Sequence, residues 1–141
     1  MSVFVDTSFF IALLDDGDDR HSDAVAHWRR AAEERLPVVT SNYVVVESCA
    51  VLQRHMGVSA VRRLVRQVLD PVTVLWVTTE EHQRAIEALL VADRRQLSIV
   101  DCTSFEMMRR LEVRECLAFD RHFAEQGFSP GGGGRGADAV E

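Results

Sequence analysis

Four carboxylates sit where the apolar pattern of this 141-residue chain has no use for charge. Asp6 divides the strand-like VFV from the helix-like apolar run in VFVDTSFFIALL, and Asp120 follows the apolar LAF in LAFDRHF. Glu47 lies in YVVVESCAVL with Tyr43 and Val44 one turn before it and Ala50 and Val51 one turn after. Asp101 lies in LSIVDCTSFEMM with Phe105 and Met108 at i+4 and i+7. An ionised carboxylate in apolar surroundings costs several kcal/mol unless something pairs with it. Several gathered at one place raise each other's pKa and weaken the fold. A divalent cation resolves that conflict, and an all-carboxylate set is what Mg²⁺ or Mn²⁺ takes, with waters completing an octahedron. Such a site suits hydrolysis of phosphodiesters, because bound ions lower the pKa of a water and stabilise charge on attacking and leaving oxygens.

Taken singly, each acid also has a local reading. An Asp between a strand and a helix is a common N-cap, which covers Asp6 and Asp120. Ser98-x-x-Asp101 has the form of a capping box. Glu47 has no such alternative, and a solvated helix face fits its apolar neighbours poorly. Both readings stay open for the three aspartates; what favours the metal site is that all of them can fold toward one strand end.

The elements that would bring them there follow from periodicity. Val3–Val5 reads as a short buried strand, Asp18–Leu36 as a helix with Val25, Trp28 and Ala32 inward, and Val38–Ser41 as a second strand after Pro37. Tyr43–His55 reads as a helix ended by Gly57, with Ser59 capping a further helix in which Val61, Leu64, Val65 and Val68 share a face. Pro71 stops that helix before a third strand, Val72–Thr79. A helix over Glu80–Asp93 follows, with Ala85, Ile86, Leu89 and Leu90 on one face, then one from Ser98 to Leu111. Cys116–Phe119 makes a fourth strand and Asp120–Gln126 a short last helix. Strands alternating with helices predict an α/β fold, a three-layer α/β/α sandwich on a mostly parallel twisted sheet of four to five strands. In such a sheet Asp6 and Asp120 both stand at carboxyl ends, where open α/β folds gather their sites. Residues 1–128 are expected to form one domain, and the Gly-rich segment 129–141, with nothing to bury, a disordered tail.

Composition removes other chemistries. All 16 basic residues are arginine, so every mechanism that needs a lysine is closed. Cys49, Cys102 and Cys116 are far apart in apolar segments and read as reduced core residues. His21, His27, His55, His82 and His122 show no metal-binding spacing and read as ordinary surface or core imidazoles. No apolar stretch reaches the roughly 20 residues of a membrane span and the N-terminus lacks a basic leader, so a cytoplasmic protein is expected. The net charge of −6 argues against nonspecific coating of nucleic acid but leaves room for local basic tracks. Arg62-Arg63, Arg94-Arg95 and Arg109-Arg110 are candidates to hold the phosphates of a phosphodiester polymer, since guanidinium matches phosphate bidentately. Solvated helix faces explain the same pairs equally well.

With these residues in their order, VDTSFFIALL, NYVVVES, LSIVDCTSF and LAFDRHFAEQGF, the chain resembles the PIN domain family of nucleases, which includes the VapC-type toxins of bacterial toxin–antitoxin pairs. The resemblance covers residues 3 to about 128. It implies an acidic quartet binding Mg²⁺ or Mn²⁺ and endoribonuclease activity on structured or messenger RNA. Asp6 and Asp101 would be direct ligands, Glu47 would complete the pocket directly or through water, and Asp120 would be the fourth acid. Thr7 or Ser8 would place a hydroxyl near the metal or the scissile phosphate, and Asp93 would be an auxiliary acid. A homodimer and a small antitoxin protein that fills the cleft are implied as partners. The alternatives within that resemblance are an RNA-processing PIN nuclease that is not a toxin and a catalytically silent PIN fold that binds nucleic acid or protein. A phosphoacceptor module, which would need a lysine, and a dinucleotide-binding domain, which would need GxGxxG where Asp-Thr-Ser stands, both rank well below the nuclease reading.

Overall fold

A computed structural model of the chain describes residues 1–130. Its centre is a sheet of five parallel strands: β1 (Val3–Val5), β2 (Val38–Ser41), β3 (Val72–Leu75), β4 (Glu115–Leu117) and β5 (Ser129–Pro130), in the order β3-β2-β1-β4-β5. The central strand is buried along its whole length, as a strand covered on both faces must be. It is in register with both neighbours, Val3 opposite Val38 on one side and Val5 opposite Leu117 on the other. The Thr40 hydroxyl, buried, donates to the carbonyl of Val5 at 2.7 Å and fixes β2 against β1.

Helices flank this sheet: α1 (Thr7–Leu14), α2 (His21–Glu33), α3 (Asn42–Met56), α4 (Val58–Arg63), α5 (Thr79–Ala92), α6 (Ile99–Arg110) and α7 (Arg121–Glu125). Their boundaries follow local chemistry. Gly57, at φ 83°, ends α3 in a backbone region that side chains resist. Thr78 with Glu81 and Ser98 with Asp101 form capping boxes at the starts of α5 and α6. Phe4, Phe9, Phe10, Leu52, Leu64, Met107, Met108 and Phe123 fill the core between the sheet and the helices.

Several sequence expectations are corrected. The inward face of α2 is Ala24, Trp28 and Ala31: Trp28 packs on Phe9 and Phe10 as expected and Val25 is half-buried, but Ala32 is exposed. Ser59 lies inside α4, which Gly57 begins without any side-chain cap. From Leu64 to Val68 the helix widens to i→i+5 bonding, with Leu69 N–H donating to the Leu64 carbonyl at 2.9 Å, so Val65 turns outward while Leu64 stays buried. β3 stops at Leu75, since Thr78 is taken as the cap of α5, and Leu90 lies exposed on that helix. β4 covers Glu115–Leu117, leaving Phe119 to a loop. β5 takes Ser129 and Pro130 into the sheet, two residues that the sequence reading assigns to the tail; the rest of that segment lies outside the described residues.

Candidate active site

From β1 the chain proceeds outward through β2 to β3 on one side, while β4 and β5 lie on the other. The point where the strand order reverses is therefore the β1–β4 junction, and the crevice beyond the carboxyl ends there is where open α/β sheets bind ligands. Asp6 directly follows β1, and its N–H donates to the Leu117 carbonyl of β4 at 3.0 Å. Asp120 follows β4 by way of a two-residue loop.

Capping turns out to orient these acids rather than compete with a site. Asp6 caps α1: its Oδ2 accepts the Ser8 N–H at 3.1 Å and the Ser8 hydroxyl at 2.7 Å. Asp120 caps α7, its Oδ1 accepting the His122 N–H at 2.9 Å. Asp101 Oδ2 accepts the Ser98 N–H at 3.0 Å within the α6 capping box. Each cap holds one carboxylate oxygen and thereby aims the other. Ser8 does more: its oxygen also accepts the Phe119 N–H at 3.0 Å, tying the start of α1 to the loop that carries Asp120. That hydroxyl is thus committed to the scaffold, whereas the buried Thr7 hydroxyl has no hydrogen bond of good geometry. It lies near enough to Glu47 to offset part of the rise that burial gives that carboxyl.

The acids feel one another. Burial pushes Asp6 up to about 7, against the hydrogen bond from Ser8 and with help from the charge of Asp101. Burial likewise raises Glu47, and the charges of Asp101 and Asp120 add to the rise. Asp101 is raised by burial and by Asp120, with the Ser98 backbone and His122 opposing. Asp6, Glu47, Asp101 and Asp120 therefore share one electrostatic environment, although Glu47 is only half-buried on α3. Within it Asp101, Asp120 and His122 each offer a ligand atom, all lying within 4.8 Å of one another.

His122 is the member that sequence reading misses. Its ring is buried, with Nε2 3.8 Å from Asp120 Oδ1 and Nδ1 3.4 Å from Glu125 Oε2. The available signal was its place two residues beyond a capping acid, where the first turn of α7 folds it back toward Asp120. Asp93, by contrast, ends α5 in the left-handed region at φ 48° and is exposed; its visible role is to terminate a helix. Among the paired arginines, Arg110 donates to the buried Glu81 at 2.9 Å, Arg94 pairs with Glu125, and Arg109 bonds Gln126 and lies over Phe128. As they stand, these three pair with groups of their own chain, as solvated helix faces do. Arg62, Arg63 and Arg95 are exposed.

Buried and half-buried acids that raise one another's pKa, oxygen donors on several elements and the Thr7 hydroxyl form a donor set that fits a hard divalent cation. Comparison with known proteins agrees with the geometry. Residues 3–129 match the PIN domain family. The 23S rRNA-specific endonuclease VapC20 of Mycobacterium tuberculosis, from strains CDC 1551 / Oshkosh and H37Rv, is 39% identical over 127 residues, covering 89% of this chain and 95% of the relative. The crystal structure of VapC20, a sarcin-ricin loop cleaving toxin, superposes with a TM-score of 0.77 at 38% identity, over 90% of this chain and 96% of that one. On fold, acidic crevice and sequence together, the chain belongs to the PIN domain family.

Proposed function

We propose that this PIN domain is a divalent-metal-dependent endoribonuclease of the toxin type, acting in the cytoplasm on a structured loop of ribosomal RNA. The observation that carries the reading is the coupling of Asp6, Glu47, Asp101 and Asp120 at the β1–β4 switch point. The similarity to VapC20 supports the ribosomal substrate class and, with it, a cognate antitoxin and a homodimer as partners. Among the described residues no helix is long and apolar enough to cross a membrane.

Asp6, Glu47, Asp101 and Asp120 would hold Mg²⁺ or Mn²⁺, with His122 beside Asp101 and Asp120. A bound ion supplies positive charge for the phosphodiester and acidity for a water. The rest is done by the chain. Both donors of Ser8 fall on Asp6 Oδ2, so Oδ1 is the oxygen offered to a cation. Ser8 also holds the Asp120 loop, so that acids from β1 and β4 approach the substrate as one rigid edge. Thr7 keeps a buried hydroxyl for Glu47 or for a ligand oxygen.

The test is cleavage of a hairpin carrying the sarcin-ricin loop of 23S rRNA. Cleavage should need Mg²⁺ or Mn²⁺ and vanish in Asp6→Asn and Asp101→Asn. Cleavage that persists in excess chelator, or that survives both substitutions, would sink the mechanism.

A further inference from the structure

A cavity of about 380 Å³ opens beside the acids and shares Asp120 with them. Its size is that of a small-ligand pocket. Phe9, Phe119 and Phe123 form its apolar wall, and Arg20, Asp23 and Arg121 its polar rim. Within the wall the Phe9 and Phe119 rings stack, 5.7 Å apart at 19°. The Arg20 guanidinium lies over Phe119, its Cζ 5.3 Å from the ring centre. Phe9 is fully buried, Phe119 half-buried, and Arg20, at the start of α2, exposed.

That composition narrows the occupant. A phosphate is disfavoured by the apolar wall and by the Asp23 carboxylate on the rim. A flat ring with polar edges suits it, since unstacked bases lie on aromatic and guanidinium planes while their edges find hydrogen-bonding groups. The neighbouring acids fix which ring this would be. We propose that the Phe9–Phe119–Arg20 cavity seats one unpaired nucleobase of the RNA, on a nucleotide flanking the bond that is cut, with Arg20 as its stacking plane. In this arrangement the cavity selects for a base splayed out of its helix, so loops are cut and duplexes are spared. The inference rests on the ribonuclease reading above and adds a recognition site to it.

The probe is the sarcin-ricin loop hairpin, first mapped for its cleaved bond and then remade with an abasic site at each flanking nucleotide in turn. Arg20→Ala is the main variant: the side chain is exposed, so its Tm should match wild type. With wild-type protein, one abasic hairpin should lose kcat/KM on the order of tenfold or more. Arg20→Ala should lose a similar factor on the intact hairpin and nothing further on the abasic one. Arg20→Lys, which keeps the charge and loses the plane, should behave like Arg20→Ala. In parallel, 2-aminopurine at that nucleotide should be quenched on binding Asp6→Asn protein and not on binding the Asp6→Asn, Arg20→Ala double variant.

Losses that multiply, or full cleavage by Arg20→Lys, would overturn the base site and make Arg20 a charge contact to phosphate. Wild-type rates in Arg20→Ala on every hairpin would also overturn it and leave the cavity to a protein side chain. Absence of any metal-dependent cleavage by wild-type protein is a different failure: it removes the ribonuclease reading and the inference with it.

Discussion

Asp6 shows how one side chain can cap a helix and still be unsettled as a charge. Its cap bonds are good, yet burial and Asp101 leave its pKa near 7. A raised carboxyl pKa means that the folded protein holds a proton that the unfolded chain has released. Without metal, stability should therefore fall as pH rises from about 4 to about 7 and level off above that. Asn caps a helix as well as Asp does and carries no charge. In chelator at pH 8, Asp6→Asn should thus melt above wild type by the equivalent of a few kcal/mol, with the gap closing near pH 4. A variant that melts clearly lower at pH 8 would make capping the main role of Asp6. Ser8→Ala should behave in the opposite way. It removes the bonds to Asp6 and to the Phe119 N–H, so a loss of about 1–3 kcal/mol is expected, read as a lower denaturant midpoint at unchanged slope. Cleavage should fall by more than the unfolded fraction explains, because the acids of β1 and β4 lose their shared tether.

At the scale of elements, what was legible depended on whether the signal was local. The strands Val3–Val5 and Val38–Ser41, and the caps Asp6, Ser98 and Asp120, are written in contiguous residues, and the structure has each where the pattern puts it. The outward turn of Ala32 on α2, the widened turn at Leu64–Val68 and the edge strand at Ser129–Pro130 are settled by packing against distant elements, which no window of sequence contains. His122 belongs with these. Its part in the acidic crevice exists only once α6 brings Asp101 alongside. The α5–α6 pair gives a test at this level. Glu81 closes the capping box of α5 and is buried there; burial pushes its carboxyl up, but hydrogen bonds from Thr78 and Arg110 of α6 more than reverse this and hold it low. A lowered pKa contributes stability that is present above the ordinary glutamate range and lost as pH falls through the folded value. Arg110→Met should cost about 1–2 kcal/mol at pH 7, modest because the guanidinium is half-exposed, and the deficit should shrink toward pH 4 as Glu81 takes up a proton. A deficit that is the same at both pH values would mean that Arg110 acts through packing alone.

Across the whole molecule, the topology concentrates in one crevice the charges that the fold tolerates least. The sheet order puts β1 and β4 side by side, the caps turn Asp6 and Asp120 toward their junction, and α3 and α6 add Glu47 and Asp101. Stability, protonation and metal binding would then be one linked equilibrium, since a cation held by the folded crevice needs its carboxylates ionised. Mn²⁺ at a hundred times its dissociation constant should stabilise the protein by about 2.7 kcal/mol. Below pH 7 part of the binding energy goes into removing the Asp6 proton, so the rise in Tm should be smaller at pH 6 than at pH 8. Calorimetry in buffers of different ionisation enthalpy reads the same event directly. Binding at pH 6 should release close to one proton from Asp6, and the release should shrink by pH 8. Release independent of pH, or Tm values that Mn²⁺ leaves unchanged, would show that the carboxylates are not the ligands, whatever the protein does to RNA.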